Sequence, residues 1–309
     1  MVCQGTTEHI ITQRDTIQLF MRPKIAICIP TYNEADTVGT TTTKIDVGLH
    51  KYLRDFEVII VNADNNSADR TKNNFLSSKT NSKKKYLKSS KLGKGNNLVN
   101  FLLFCKLKGI DFAATIDSDI KTLDPIWIEH LLNPIISNKA DFVTPLYFRN
   151  KFEGSTTNHF AFPLVYTFFG KSLRQPIGGE FSFNRSFIKY CLSKLISSEV
   201  RQYGIDIFLT IHALGGNFRV EEIFLGRKLH KPSFPKIVPM FKQVFASAIQ
   251  TSSSYDIYKE QADDLSLKNK PYIDNYKDFK HEVKIKELAN FAREQFFNNN
   301  ALYLRNNLC

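Results

Sequence analysis

Three short apolar runs, each closing on polar residues, constrain this chain more than any other feature. KIAICIP (24–30), FEVIIVNAD (56–64) and DFAATIDSDI (111–120) are rich in branched residues and have no polar face. Strands buried on both sides of a parallel sheet read this way. Helical patterns alternate with them. TYNEADTVGTTTTKI opens one helix, NNSADRTKNNFL turns into a second, and NNLVNFLLFCKLKG has helical apolar spacing and stops at Gly109. PIWIEHLLNPIISN reads as a further helix and ADFVTPLYF (140–148) as a fourth strand. Strand-helix alternation predicts an α/β fold, a mostly parallel, Rossmann-like sheet with helices on both faces. Ligands of such sheets bind at the carboxyl ends of the strands. Pro30-Thr31, Asp64 and Asp117–Asp119 all fall at that edge.

The remaining chain divides around this pattern. Residues 1–23 read as a short polar leader without the apolar core of a signal peptide. Residues 24–120 form a first half and 121–250 a mixed second half, followed by a helical extension over 251–309. Twenty-six phenylalanines and 42% hydrophobic residues argue for a packed core and against disorder. No apolar run reaches the length of about 20 residues that spans a bilayer. Five scattered cysteines offer neither a disulfide framework nor a CxxC site, so a reducing, cytoplasmic setting is expected.

The charge of +12 is partly local, because seven lysines and no acid lie between Lys79 and Lys94, whereas 252–309 is balanced at nine against nine. The run reads as a solvated loop, with attraction of an anionic diphosphate as the functional alternative. No nucleic-acid-binding motif accompanies it.

Asp117-Ser118-Asp119 is the one strict Asp-x-Asp. At the end of an apolar strand it sets two carboxylates at the ligand edge, with nothing in the nearby sequence to neutralise them. Hard oxygen ligands suit Mg²⁺ or Mn²⁺ bridging a diphosphate. A capped turn with two solvated acids is the plainer reading. Leu92-Gly93-Lys94-Gly95 lacks the Walker spacing and so is no P-loop.

In order and spacing, IPTYNEADTV, then Asp64-Asn65-Asn66-Ser67-Ala68-Asp69-Arg70-Thr71, then Gly-Lys-Gly, then Asp-x-Asp, resemble the nucleotide-sugar half of family 2-like GT-A glycosyltransferases. Asn66 stands where that pattern has glycine, and asparagine also tolerates positive φ. Gln175-Pro176-Ile177-Gly178-Gly179-Glu180, Tyr203-Gly204-Ile205-Asp206 and Gly226-Arg227-Lys228-Leu229-His230-Lys231 narrow the likeness. They resemble the retaining mannosylglycerate synthase and glucosyl-3-phosphoglycerate synthase families, over about residues 24–250.

The resemblance implies a GT-A fold and a hexosyltransferase using UDP-glucose or GDP-mannose. Pro30, Thr31, Glu34 and Asp64 would line the nucleobase and ribose site, with Lys94, Asp117, Ser118, Gly178 and Gly179 along the rest of the nucleotide-sugar. Asp119 and His230 would hold Mg²⁺ or Mn²⁺. Asp206 would sit by the reacting sugar, and Lys94 would assist electrostatically. Arg149, Thr156 and Thr157 would meet the acceptor. The phosphoglycerate enzymes carry Gly-Arg-x-Thr where this chain has Ser155 after Gly154, which favours an unphosphorylated, glycerate-like acceptor.

Other readings compete. An inverting family 2 enzyme would act on a glycan, lipid-linked or modified-nucleobase acceptor, but Gln-x-x-Arg-Trp is absent and Trp127 is the single tryptophan. A sugar nucleotidyltransferase would need a glycine-rich, arginine-bearing entry loop where TYNEADTVGTT stands. A non-catalytic nucleotide-sugar or nucleic-acid-binding protein would have no use for the metal and acceptor motifs. The amphipathic stretch DFKHEVKIKELANFAREQFF (278–297) offers a face to a partner subunit, as in a homodimer, or to its own domain.

Overall fold

The computed structural model describes residues 22–149, 153–231 and 236–256. Most of the leader and the amphipathic stretch 278–297 lie outside the described residues. The expected strands appear as β1 (Lys24–Thr31), β2 (Glu57–Asp64), β4 (Phe112–Thr115) and β5 (Phe142–Phe148). Three more complete the sheet, namely β3 (Lys83–Lys88), β6 (Ser182–Asn184) and β7 (Val220–Arg227). Their spatial order is β3-β2-β1-β4-β6-β5-β7. All pairings are parallel except those of β6, which runs antiparallel between β4 and β5. In register, Thr31 faces Asp64, so the ends of β1 and β2 are level at the carboxyl edge.

The helices are α1 (Val38–Tyr52), α2 (Thr71–Ser77), α3 (Lys94–Lys108), α4 (Ile126–Ile136), α5 (Phe162–Phe169), α6 (Arg185–Leu192), α7 (Ile205–Gly215) and α8 (Ile237–Ser252). A π-helical turn, Thr157–Ala161, leads into α5. The period of two along β1 divides the core. Ile25, Ile27 and Ile29 pack with Ile45 and Leu49 of α1 and Leu131 of α4 on one face. Ala26 and Cys28 pack with Phe101 and Leu102 of α3, Phe187 of α6 and Phe208 of α7 on the other. Ile207 and Ile211 of α7 form a third cluster with Val165 of α5 and Val244 of α8.

One expectation needs correcting. The lysine run 79–94 is not a solvated loop throughout, because Lys83–Lys88 is the edge strand β3. On that strand Lys83 and Lys85 are exposed while Leu87 packs on the core. Lys84 folds back to donate to the carbonyls of Phe75, Leu76 and Ser78 at the end of α2. An edge strand tolerates such a row, since lysines keep their charge in water and discourage edge-to-edge pairing.

Candidate active site

Lys94 begins α3, and its place follows from the two glycines around it. Gly93 has φ +126, and a Cβ on Gly95 would lie 1.8 Å from the Val200 carbonyl oxygen. Without side chains, the turn presses onto the backbone of residues 200–202. There Gly95 N–H donates to Gln202 O (2.9 Å) and Asn96 N–H to Arg201 O (2.9 Å). This contact carries Lys94 to the segment preceding α7, which bears Asp206 in its first turn.

The Lys94 ammonium lies 3.1 Å from Asp117 Oδ1 and 3.1 Å from Asp206 Oδ2. On the far side of Asp117, Lys228 stands 3.3 Å from Oδ2. Lys228 also donates to Glu180 Oε1 (2.9 Å), Glu180 Oε2 (2.6 Å) and Gly178 O (2.9 Å). Tyr147 Oη then donates to Glu180 Oε2 at 2.6 Å. Asp206, Lys94, Asp117, Lys228 and Glu180 thus form one ladder of alternating charge, which ends on the neutral hydroxyl of Tyr147 in β5.

The ladder sets the protonation of its members. Burial pushes the Asp117 carboxyl up, but Lys94 and Lys228 outweigh it and hold it well below the usual carboxylate range. Burial pulls the Lys94 ammonium down, yet Asp117 and Asp206 hold it above its ordinary value. Burial raises Asp206 against the pull of Lys94, and it pushes Glu180 up to about 7 despite Lys228. Among the described residues, Asp206 Oδ1 is buried with no hydrogen-bond partner.

Gly178 and Gly179 wrap the ladder. Gly179 has φ +96, and a Cβ there would fall 2.5 Å from Asp117 Oδ2 and 3.3 Å from Lys94 Nζ. At Gly178 it would meet the Pro145 ring at 2.3 Å. Backbone alone fits against the carboxylate.

A Glycosyl transferase family 2 model matches residues 26–196, more than half of the chain. The chain belongs to glycosyl transferase family 2. It is therefore a glycosyltransferase. No curated protein matches it. Among solved structures it is similar to glucosyl-3-phosphoglycerate synthase from Mycobacterium tuberculosis. The complex of that enzyme with Mn²⁺, UDP and phosphoglyceric acid is 23% identical, over 77% of this chain and 80% of that one, with a TM-score of 0.61. Its complex with Mn²⁺, UDP and glucosyl-3-phosphoglycerate is 22% identical over 84% and 88%, at 0.60. The form with Mg²⁺ and UDP is 21% identical over 83% and 87%, also at 0.60. Likeness at these identities shows the fold, which is GT-A.

The family 2 motif residues at the first strand ends occupy distinct environments. Pro30 and Thr31 are buried in β1. Asp64 is fully buried, with Oδ1 accepting from Thr31 and Ser67 hydroxyls and Oδ2 from Ser67 N–H and Tyr86 Oη. It therefore organises the loop after β2, where Asn66 adopts φ +58. Glu34 receives Thr37 Oγ1 (3.1 Å) and Lys231 Nζ (2.7 Å). Burial raises its carboxyl while Lys231 opposes that shift. Ser118 is buried, and its carbonyl accepts from Thr41 Oγ1.

Asp117 departs from the sequence expectation of two unneutralised carboxylates, because both of its oxygens already face lysines. Among the described residues no group of three or more His, Cys, Asp and Glu converges as a metal site. Asp119 and His230 nevertheless have suitable donor chemistry. His230 Nδ1 donates to Lys231 O at 2.7 Å, which leaves the Nε2 lone pair available, the orientation metal-bound histidines adopt. Burial, and then Lys228, hold its ring toward the neutral form. Asp119 is half-buried and accepts Lys231 N–H at 3.0 Å.

Arg149 Nε donates to Gln175 Oε1 (3.1 Å), and its guanidinium lies 5.6 Å from the Tyr147 ring centroid. Gly154 has φ +69, and a Cβ there would lie 3.5 Å from Arg149 Cδ and 3.7 Å from Thr157 Cβ. Thr156 and Thr157 are buried beside it. Gln175 also donates to Tyr147 O, so this cluster joins the ladder through Tyr147. Lys228, Glu180 and Gln175 lie within the sequence motifs, but nothing along the chain marks them as parts of the site. A buried lysine and glutamate announce themselves only through each other.

Proposed function

We propose that this enzyme moves a hexose from UDP-glucose or GDP-mannose to a small glycerate-like acceptor with retention of anomeric configuration, aided by Mg²⁺ or Mn²⁺. The observation that carries this reading is Asp206, ion-paired through one oxygen to Lys94 and offering a buried, unpartnered second oxygen at the same point. The complexes of the similar glucosyl-3-phosphoglycerate synthase with UDP, Mn²⁺ and phosphoglyceric acid support donor, metal and acceptor class. Residues 24–120 then serve as the nucleotide-sugar half, 121–250 as the acceptor and metal half, and 251–309 as an extension. No helix among the described residues is long and apolar enough to cross a membrane, and we place the reaction in the cytoplasm.

In this reading Asp119 and His230 would hold the metal, which supplies Lewis-acid neutralisation of the departing diphosphate. Lys94, fixed between two carboxylates, adds a positive charge beside the site where that charge develops. A carboxylate already paired with Lys94 is a weak nucleophile, so Asp206 orients a sugar or acceptor hydroxyl through Oδ1. The bond from anomeric carbon to phosphate oxygen breaks, and the acceptor oxygen bonds to the same face. The acceptor hydroxyl proton leaves on the phosphate oxygen. Gly178 and Gly179 let the sugar lie against backbone, and Arg149 with Thr156 and Thr157 receives the acceptor carboxylate.

The test is nucleotide release from UDP-glucose and GDP-mannose with Mn²⁺ or Mg²⁺, against glycerate and 3-phosphoglycerate. Metal-dependent release with glycerate, giving an α-linked product by NMR, is the expected result. A β-linked product would refute retention, and release only with a glycan or nucleobase acceptor would refute the acceptor class.

A further inference from the structure

Lys231 ties the segment after β7 to the loop after β1. Its backbone N–H is bonded to Asp119, beside His230, while its ammonium reaches back to the loop after β1. There it lies 2.7 Å from Glu34 Oε2 and 3.0 Å from Asp36 Oδ1, contacts almost 200 residues apart in sequence. The same residue thus touches the carboxylate assigned to the metal and the carboxylate assigned to the nucleoside.

We propose that Lys231 is an exchangeable clamp, which occupies Glu34 in the empty enzyme and transfers to the diphosphate of the donor, freeing Glu34 for the nucleoside. This rests on the nucleotide-sugar reading above.

Three features argue for exchange over a fixed structural bridge. The Lys231 side chain is 39% exposed and that of Asp36 is 65% exposed, and ion pairs open to solvent are weak enough to be traded. By contrast, Lys228 is 4% exposed and satisfied by four acceptors, which marks it as fixed. Glu34 is only 18% exposed, so its negative charge must be balanced while no ligand is present. A nucleoside hydroxyl or ring N–H replaces that balance with hydrogen bonds. Lysine is moreover a mobile point charge on a long stem, well suited to follow a phosphate group.

Nucleoside and nucleoside diphosphate should consequently respond in opposite directions when Lys231 is removed. Titration calorimetry with uridine, guanosine, UDP and GDP, with Mn²⁺ present throughout, reads this directly. In Lys231→Met the nucleoside of the preferred base binds more tightly, because Glu34 is free. Its diphosphate binds about tenfold more weakly, as expected for one lost charge-assisted contact. In Asp36→Asn, which loosens the clamp but keeps the lysine, the diphosphate binds a few-fold more tightly. Equal changes for nucleoside and diphosphate in Lys231→Met, or unchanged affinities in both variants, overturn the clamp while leaving the nucleotide-sugar reading intact. If the wild-type protein binds neither UDP nor GDP, that reading itself falls, and the clamp with it. Thermal melts identify a variant that fails by misfolding, in which case the Asp36→Asn result decides.

Discussion

Lys228 holds its ammonium 2.6 Å from Glu180 Oε2 and 3.3 Å from Asp117 Oδ2, in a site where Glu180 is wholly buried. One cation thereby keeps two neighbouring acids compatible. Removing it in Lys228→Met leaves uncompensated buried charge, which costs about 3–5 kcal/mol. Urea denaturation at pH 7.5 should show that loss, together with a raised Glu180 titration. A change under about 1 kcal/mol would mean that water replaces the ammonium.

Glu180 also predicts a pH signature. Its folded value is pushed up to about 7, above the ordinary carboxyl range, chiefly by burial. For an acid raised on folding, the stabilising contribution is complete below the unfolded value and is lost as pH rises through the folded one. Wild-type stability should therefore decline between about pH 5 and pH 8 by an amount that Glu180→Gln removes. The slope of unfolding free energy against pH is the readout, and parallel slopes for the two proteins would exclude Glu180 as its source.

Gly179 bears on Asp117 so closely that alanine cannot be accommodated without moving the carboxylate. Positive φ adds strain there for any residue with a Cβ. Gly179→Ala should lower kcat about 100-fold, the scale of an ångström-size misplacement in an active site. Turnover within a few-fold of wild type would show that the close fit of Gly179 against Asp117 is not needed for catalysis.

Asp206→Asn keeps the side-chain shape and leaves Lys94 paired with Asp117. Its expected effect is a fall in kcat of about 10²- to 10³-fold with little change in stability. Near-normal turnover would remove Asp206 from the orienting role.

His230→Ala should raise the Mn²⁺ concentration for half-maximal activity at least about tenfold, with Asp119→Asn acting in the same direction. Manganese titrations followed by paramagnetic relaxation check this without turnover. An unchanged metal dependence would exclude both ligands.

Much of the fold was legible because its cause is local. Continuous apolar runs made β1, β2, β4 and β5 readable, helical apolar spacing did the same for the helices between them, and Gly109 closes α3 in the left-handed conformation. Asn66 adopts the positive φ anticipated for it. The lysine-rich strand β3 was hidden, since its place depends on pairing with β2 and not on its own hydrophobicity.

At the site, the polar residues at the carboxyl edge of the sheet can be read along the chain, because strand length and chain direction place them there. Their charge partners arise from folding, which brings distant segments together. Asp117 and Lys228 lie 111 residues apart, and Lys94 and Asp206 lie 112 apart. Electrostatic attraction acts through space and leaves no periodicity along the chain. The sequence alone therefore presented Asp117 as a free carboxylate, whereas the folded chain shows it clamped between two lysines.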